Sequence, residues 1–208
     1  MSSSAIHIAY CFDNNFWAPA YAVMRSVCIG TRRKSDLNFH LLHTGLAPDH
    51  KADLDKIATE YGAHLHYYDL NEIELFKTLG EKGRFHQRLT HVIYARLMFD
   101  EILPPEVQRV IYMDCDMYVR ARIEELYETD LEGHPIAAVR DPYSFHIIGG
   151  RDLRSNLDLF ELSDLYFNSG LIVIDRKKWA EAKVMERFEK MIADGTMDRL
   201  YYDQDVLN

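Results

Sequence analysis

The sequence predicts an α/β domain with three layers, in which helices cover both faces of a mainly parallel central sheet. Short apolar runs that are typical of strands alternate along the chain with longer segments of helical periodicity. No linker composition or internal repeat divides the 208 residues, and this length suits one domain with a buried core. We therefore expect residues 1–208 to form a single domain.

The first elements carry their own start and stop signals. Residues 6–12 are an apolar run, and a cluster of Asp and Asn that begins at Asp13 predicts that a strand ends there in a turn. Residues 17–28 are predicted to be a helix, because Pro19 suits a first helical turn and apolar residues recur at helical spacing.

Two further strands are expected at residues 37–43 and 63–68. Between them, Pro48 is typical of a helix start and Gly62 of a helix end. This alternation of strand, helix and strand favours parallel pairing.

The middle of the chain is less regular. Residues 77–88 are polar and include Gly80 and Gly83, which predicts a mobile loop. Residues 89–102 are expected to form a helix that ends before Pro104.

The second half again alternates strands with helices. Residues 110–119, 136–139 and 166–174 are predicted strands, and residues 177–192 are a predicted charged amphipathic helix. A last helix begins near residue 202.

Two aspartates end the most apolar of these strands. If residues 110–119 are extended, Asp114 and Asp116 project to one side and Cys115 to the other. Two like charges that close require a cation, protons or hydrogen bonds, and hard carboxylate oxygens favour Mg²⁺ or Mn²⁺, which bind phosphates. The alternative is a strand that runs into a solvated acidic turn.

Composition limits the classes of function. A net charge of −9 disfavours a general nucleic-acid binder, because affinity for phosphate backbones depends on Lys and Arg. Cys11, Cys28 and Cys115 show no metal-ligand spacing, which favours reduced thiols in a cytoplasmic protein. The sequence shows no signal peptide and no apolar stretch long enough to span a membrane.

Other candidate residues each have two interpretations. Asp13 and Asn15 follow the first strand and could bind a nucleotide base or cap a turn. Arg96 could be a surface cation or a contact to phosphate and ribose. Asp203 and Gln204 could cap a helix or bind a polyhydroxy ligand.

A pair of histidines allows a similar choice. His64 and His66 share one face of a predicted strand, where they could chelate a metal. No third ligand is evident, so a polar strand face is the preferred interpretation.

Taken together, five segments resemble the family 8 glycosyltransferases, retaining enzymes related to bacterial lipopolysaccharide galactosyl- and glucosyltransferases and to glycogenin. In chain order, the segments are Tyr10-Cys11-Phe12-Asp13-Asn14-Asn15-Phe16, Thr90-His91-Val92-Ile93-Tyr94-Ala95-Arg96-Leu97, Tyr112-Met113-Asp114-Cys115-Asp116, Tyr166-Phe167-Asn168-Ser169-Gly170 and Tyr202-Asp203-Gln204-Asp205-Val206-Leu207-Asn208. The resemblance implies a nucleotide-diphosphosugar transferase domain of the GT-A type. It also implies transfer of galactose or glucose from a UDP-hexose to a saccharide or lipid-linked saccharide, as in lipopolysaccharide biosynthesis, with Mn²⁺ or alternatively Mg²⁺.

The same resemblance assigns roles to individual positions. It implies nucleotide-sugar contacts for Cys11, Asp13, Asn15, Arg96, Cys115, Asp141 and Asn168. It implies metal ligands at Asp114 and Asp116, and catalytic roles for Gln204 and Asp203. An amide oxygen is a poor nucleophile, so attack by the acceptor on the same face is favoured, with Gln204 stabilising positive charge.

One family feature has no match in these 208 residues. Family members carry a C-terminal His-x-x-Gly-x-x-Lys-Pro segment, which supplies a third metal ligand and a lysine for the diphosphate. We therefore expect a domain that lacks this segment, with peripheral membrane association depending on a tail that is absent here. The alternatives are a phosphatase of the haloacid dehalogenase type and a UDP-sugar-binding module without transfer activity.

Overall fold

Six strands form one sheet in the order β3-β2-β1-β4-β6-β5. The computed structural model describes residues 5–82, 91–141, 158–160, 165–200 and 202–208. The strands are Ile6–Phe12 (β1), Leu37–His43 (β2), His64–Asp69 (β3), Arg109–Met113 (β4), Ile136–Arg140 (β5) and Phe167–Asp175 (β6). Strand β1 pairs in parallel with β2 and β4, and β2 pairs in parallel with β3, whereas β6 is antiparallel to β4 and β5. The predicted α/β fold with a mainly parallel sheet is confirmed.

Helices lie on both faces of this sheet. They are Trp17–Gly30 (α1), Pro48–Tyr61 (α2), Glu74–Lys82 (α3), Phe99–Ile102 (α4), Ile123–Tyr127 (α5), Arg176–Glu181 (α6), Val184–Ala193 (α7) and Tyr202–Leu207 (α8). One core joins α1 and α2 to β1 through side chains such as Ile8 and Tyr10. A second core on the opposite face uses Ala9 of β1 together with Phe99 and Phe188.

Local sequence signals placed several boundaries correctly. The structure confirms the predicted strands at residues 6–12 and 37–43. Pro48 occupies the first turn of α2, and Gly62 ends that helix in the left-handed region with φ of 72°. Its backbone N–H donates to the carbonyl of Ala58 at 2.8 Å, and glycine adopts this conformation without a steric penalty.

Two predictions for the middle of the chain are wrong. Helix α3 continues to Lys82, so the first half of the expected loop at residues 77–88 is helical, and the remainder lies outside the described residues. Residues 91–98 form a 3₁₀ helix, and only Phe99–Ile102 is α-helical. Arg96 Nε donates to the carbonyl of Ile93 at 2.9 Å, and this carbonyl would accept from residue 97 in an α-helix.

The predicted helix at residues 177–192 is interrupted. Helix α6 ends at Glu181, and α7 begins at Val184. Lys183 lies between them in the left-handed region with φ of 53°, which breaks the helical path.

The three cysteines are free thiols. Cys28 and Cys115 are buried, Cys11 is half-buried, and none of the three forms a disulfide. Within the described ranges, no helix combines the length and the apolar character needed to cross a membrane.

Histidines from three neighbouring strands contact one another on one face of the sheet. His40 is buried, lies 3.0 Å from His7 Nδ1 through its Nε2, and stacks on His66 at a centroid distance of 4.9 Å. Burial, followed by the neighbouring His7 and His66, lowers the pKa of His40 to about 3. His64 and His66 are exposed, and the described part of the chain holds no group of three or more His, Cys, Asp or Glu that could bind a metal. His66 Nε2 lies 3.0 Å from Asn38 Oδ1, a contact that fits a polar strand face.

The histidine contacts predict that stability falls in mild acid. Because the pKa of His40 is lower in the folded protein than its usual value of 6.5, the unfolded chain binds the proton more tightly. The urea midpoint of unfolding should therefore decrease as the pH falls from about 6.5 towards 4. His40→Gln should flatten this slope, whereas His134→Gln, at an exposed loop position, should leave it unchanged. Equal slopes for wild type and His40→Gln would contradict the prediction.

Candidate active site

A cleft of about 350 Å³ opens where β1 and β4 end and α8 begins. In open α/β sheets this edge is the usual place for ligands. The residues that line the cleft are Cys11, Phe12, Asp13, Phe16, Val92, Ile93, Arg96, Tyr112, Asp114, Cys115, Asp116, Ser169, Tyr202 and Asp203.

The turn after β1 forms one end of this cleft. Asp13 Oδ1 accepts a hydrogen bond from the backbone N–H of Asn15 at 2.9 Å, so the capping interpretation of Asp13 is confirmed. Asn14 Oδ1 accepts from the N–H of Ala47 at 2.8 Å and lies 2.9 Å from His50 Nδ1, which ties the turn to the start of α2. Phe16 follows with 49% of its surface exposed.

The two aspartates after β4 do not continue an extended strand. Strand β4 ends at Met113, and Cys115 and Asp116 form a turn, so the alternation expected for residues 114–116 is wrong. The N–H of Asp114 still donates to the carbonyl of Gly170 at 2.8 Å, which fixes the first carboxylate against β6. Both aspartates nevertheless line the cleft, and Asp116 is exposed.

Gly170 leaves the space that the Asp114 carboxylate occupies. A Cβ atom at position 170 would lie 2.6 Å from Asp114 Oδ2 and 3.0 Å from Asn168 Oδ1. Both distances are shorter than van der Waals contact, so a larger residue at this position would displace the Asp114 carboxylate.

Arg96 is a buried ion-pair partner. Its guanidinium lies 3.1 Å from Asp203 Oδ2 and 3.2 Å from Asp114 Oδ1. It also donates to the carbonyl of Ser169 at 2.8 Å and lies over the ring of Tyr112, 3.9 Å from its centroid. Burial lowers the pKa of Arg96, but Tyr112 and the two carboxylates outweigh this and raise it, so the side chain stays charged. The surface-cation interpretation is wrong, because the residue is only 4% exposed.

Asp203 is the buried carboxylate on the α8 side of the cleft. Its Oδ2 accepts from the hydroxyl of Ser169 at 3.0 Å and pairs with Arg96. Burial raises the pKa of Asp203, whereas Arg96 and the Ser169 hydroxyl partly lower it.

Gln204 is held by hydrogen bonds at both ends of its amide. Oε1 accepts from the N–H of Ser169 at 3.1 Å and from Asn168 Nδ2 at 3.3 Å. Nε2 donates to Asp141 Oδ2 at 3.0 Å. These contacts define the direction of the amide dipole.

Helix α8 is fastened to β6 by two further side chains. Tyr166 donates its hydroxyl to the buried carboxylate of Asp205. Asn208 accepts from the N–H of Phe167 at 2.7 Å and donates to its carbonyl at 3.0 Å, as a neighbouring strand would. The acidic cluster in α8 thus contacts β6 instead of simply capping its own helix.

The structure brings most of the predicted site residues to this cleft. Those that line it are Cys11, Asp13, Arg96, Asp114, Cys115, Asp116 and Asp203. Asp141, Asn168 and Gln204 form a hydrogen-bonded group next to Ser169, and Asn15 is exposed after Asp13.

Several residues that line the cleft were not predicted from the sequence. Phe16, Tyr112 and Ser169 lie within the motifs that were noticed, but their chemistry was not assigned. Tyr202 lines the cleft with a φ of 55°, a strained conformation that is often found at functional sites.

Comparison with known proteins gives a family match over nearly the whole chain. The family model described as glycosyl transferase family 8 matches residues 7–208. The chain is 23% identical over 206 residues to general stress protein A of Bacillus subtilis (strain 168), covering 98% of this chain and 68% of that protein. It is 26% identical over 207 residues to lipopolysaccharide 1,2-glucosyltransferase of Escherichia coli (strain K12), covering 100% of this chain and 58% of the relative.

A third relative is similar in sequence, and two solved structures share the fold. Lipopolysaccharide 1,3-galactosyltransferase of Salmonella typhimurium (strain LT2) is 26% identical over 204 residues, and the match covers 97% of this chain and 58% of the relative. The galactosyltransferase LgtC in complex with donor and acceptor sugar analogs shares the fold, with a TM-score of 0.79, 22% identity and coverage of 98% and 69%. Mouse xyloside xylosyltransferase 1 gives a TM-score of 0.71 at 16% identity, with coverage of 99% and 80%. The chain thus spans little more than half of the two lipopolysaccharide-modifying relatives.

Removal of the Arg96 charge should destabilise the fold strongly. Arg96→Met leaves Asp203 buried without its cation, so we expect the free energy of unfolding to fall by about 3–5 kcal/mol. Arg33→Met is the matched control, because its pairs with Asp36 and Glu128 are partly exposed and worth about 0–1 kcal/mol. Urea titration measures both variants. A loss for Arg96→Met no larger than that for Arg33→Met would contradict the role of the buried pair.

Proposed function

Because the chain belongs to glycosyltransferase family 8, we propose that it transfers a hexose, galactose or glucose, from a UDP-sugar to a saccharide acceptor with retention of the anomeric configuration. One observation carries the proposal: carboxylates from three separate parts of the chain face one cleft. They are Asp13 after β1, Asp114 and Asp116 after β4, and Asp203 in α8. A nucleotide-sugar has a base, a diphosphate and a sugar, and these carboxylates offer one group for each part.

The β1 end of the cleft suits the uracil base. The carboxylate of Asp13 can accept a base N–H, and the exposed ring of Phe16 offers a face for stacking. Val92 and Ile93 add apolar surface beside it. The volume of about 350 Å³ lies within the range of small-molecule sites.

The β4 end suits a divalent cation and the diphosphate. Asp114 Oδ1 is held by Arg96 and by the hydroxyl of Tyr112, while Asp116 is exposed to the cleft. Two carboxylates supply part of an oxygen shell of about six ligands, and diphosphate and water would complete it. When bound, Mn²⁺, or alternatively Mg²⁺, would act as a Lewis acid that stabilises the negative charge of departing UDP.

The α8 end suits the transferred hexose. Asp203 can accept hydrogen bonds from sugar hydroxyls, and Asn168 and Asp141 lie next to Gln204. Gln204 Oε1 already accepts two hydrogen bonds, which argues against its use as a nucleophile. The contacts therefore favour attack by the acceptor hydroxyl on the face from which UDP departs, with the Gln204 dipole stabilising the oxocarbenium-like carbon.

Family membership argues against one of the two alternatives. A phosphatase of the haloacid dehalogenase type conflicts with the match to glycosyl transferase family 8 over residues 7–208. An assay for UDP release distinguishes a transferase from a UDP-sugar-binding module, because only the transferase releases UDP from the donor. The lipopolysaccharide-modifying relatives support a saccharide or lipid-linked saccharide as the acceptor.

The metal proposal predicts a cation-dependent affinity for UDP. Calorimetric titration should show tighter binding of UDP in Mn²⁺ than in chelator, because Asp114 and Asp116 would hold an ion whose positive charge attracts the diphosphate. Asp116→Asn should abolish the increase and leave the circular dichroism spectrum unchanged. Asp53→Asn, at a partly exposed acid on α2 that pairs with Lys56, is the control and should retain the increase. Equal UDP affinity of the wild type in chelator and in Mn²⁺ would contradict the proposal that Asp114 and Asp116 hold a divalent cation.

The mechanism predicts a specific kinetic effect at Gln204. Gln204→Ala should lower kcat by about tenfold or more and change the KM for the donor less, because its dipole acts mainly once positive charge has developed. Gln108→Ala is the control, since Gln108 is exposed and its side-chain Nε2 donates to the carbonyl of Pro105 at 2.6 Å. Unchanged turnover in Gln204→Ala would exclude this residue from the mechanism.

A further inference from the structure

Ser169 contacts three of the residues that form the site. Its N–H donates to Gln204 Oε1 at 3.1 Å, its hydroxyl donates to Asp203 Oδ2 at 3.0 Å, and its carbonyl accepts from Arg96 at 2.8 Å. The residue is buried, with 6% exposed, and lines the cleft. All the polar groups of this one residue are therefore used within the site.

Only one of these three contacts depends on the side chain. The backbone N–H and carbonyl would be available from almost any residue at position 169. The hydroxyl is specific to the serine, and it donates to Asp203. An alanine would keep the backbone contacts to Gln204 and Arg96. It would lose the hydroxyl, which donates to Asp203 and also accepts from Arg96 Nη1 at a longer distance of 3.4 Å.

Asp203 needs this contact because it is a buried charge. Its carboxylate pairs with Arg96 through the same oxygen that accepts the Ser169 hydroxyl. Arg96 also pairs with Asp114 on the opposite side, so the guanidinium is shared between two acids. The hydroxyl is thus a neutral donor to the Asp203 carboxylate, which shares its cation with Asp114.

We propose that the Ser169 hydroxyl is a positioning group that acts through Asp203, orienting this carboxylate towards the hydroxyls of the transferred hexose. The inference rests on the proposed function, in which Asp203 faces the sugar. Ser169 does not itself touch the reacting atoms. Its loss should affect the reaction and not the affinity for the nucleotide, because the base and diphosphate contacts lie elsewhere in the cleft.

Steady-state kinetics of Ser169→Ala, Asp203→Asn and the double variant test the proposal. The donor is UDP-galactose or UDP-glucose, whichever the wild type turns over faster. Ser169→Ala should lower kcat by about tenfold and leave the donor KM within about twofold. In the Asp203→Asn background, Ser169→Ala should change kcat by less than about twofold, because the hydroxyl then has no carboxylate to orient.

A matched buried serine separates positioning from general packing. The hydroxyl of Ser26 donates to the carbonyl of Val23 at 2.7 Å and accepts from the N–H of Val119 at 2.9 Å, away from the cleft. Ser26→Ala should lower the urea midpoint of unfolding without changing kcat. If Asp203→Asn has no measurable kcat, urea midpoints replace kcat for the wild type, Ser169→Ala, Asp203→Asn and the double variant. The loss of stability in the double variant must then differ from the sum of the losses in the two single variants.

Several outcomes would overturn the proposal. One is a kcat for Ser169→Ala equal to that of the wild type. Another is that Ser169→Ala lowers kcat tenfold both in the wild type and in Asp203→Asn. A third is that the losses in urea midpoint of the two single variants simply add in the double variant. Each of these leaves the proposed function intact, because the wild type still turns over UDP-hexose. A wild type that releases UDP from neither donor would instead contradict the proposed function, and this inference with it.

Discussion

The buried guanidinium of Arg96 is the constraint on which the site depends. It pairs with Asp114 after β4 and with Asp203 in α8, and it binds the backbone of β6 through Ser169. One cation therefore joins two acids that are 89 positions apart in the sequence. Asp13 and Asp116 line the same cleft, so four carboxylates share it with this guanidinium, and a divalent cation would compensate the surplus negative charge.

The antiparallel strand explains why this arrangement is possible. Strands β1 and β4 are parallel neighbours, so their carboxyl ends meet at one edge. Strand β6 runs the other way, and Leu171 pairs with Met113, so the start of β6 reaches the end of β4. Residues 168–170 thus lie beside Asp114 and offer α8 its docking surface. A wholly parallel sheet would have placed this motif at the opposite edge.

The sequence was informative where the signal is local. An apolar run followed by Asp13, and the pair of Pro48 and Gly62, mark boundaries within a few residues. Arg96 could not be assigned in this way, because its partners come from β4, β6 and α8. The same limit applies to residues 77–82, where Gly80 suggested a loop although it lies near the end of α3. The hydroxyl of Ser169 could not be assigned from the sequence, because its acceptor, Asp203, lies 34 positions further along the chain.

The most direct test of the account is the stereochemistry of donor turnover. Proton NMR with the diamagnetic ion Mg²⁺ can follow the slow transfer of the sugar from UDP-galactose and UDP-glucose to water. It distinguishes the anomers of the first sugar released, before mutarotation mixes them. We predict that UDP is released and that the α-anomer of the donor sugar appears first, as retention requires. Initial release of the β-anomer, or no release of UDP from either donor, would contradict retaining transfer at this cleft.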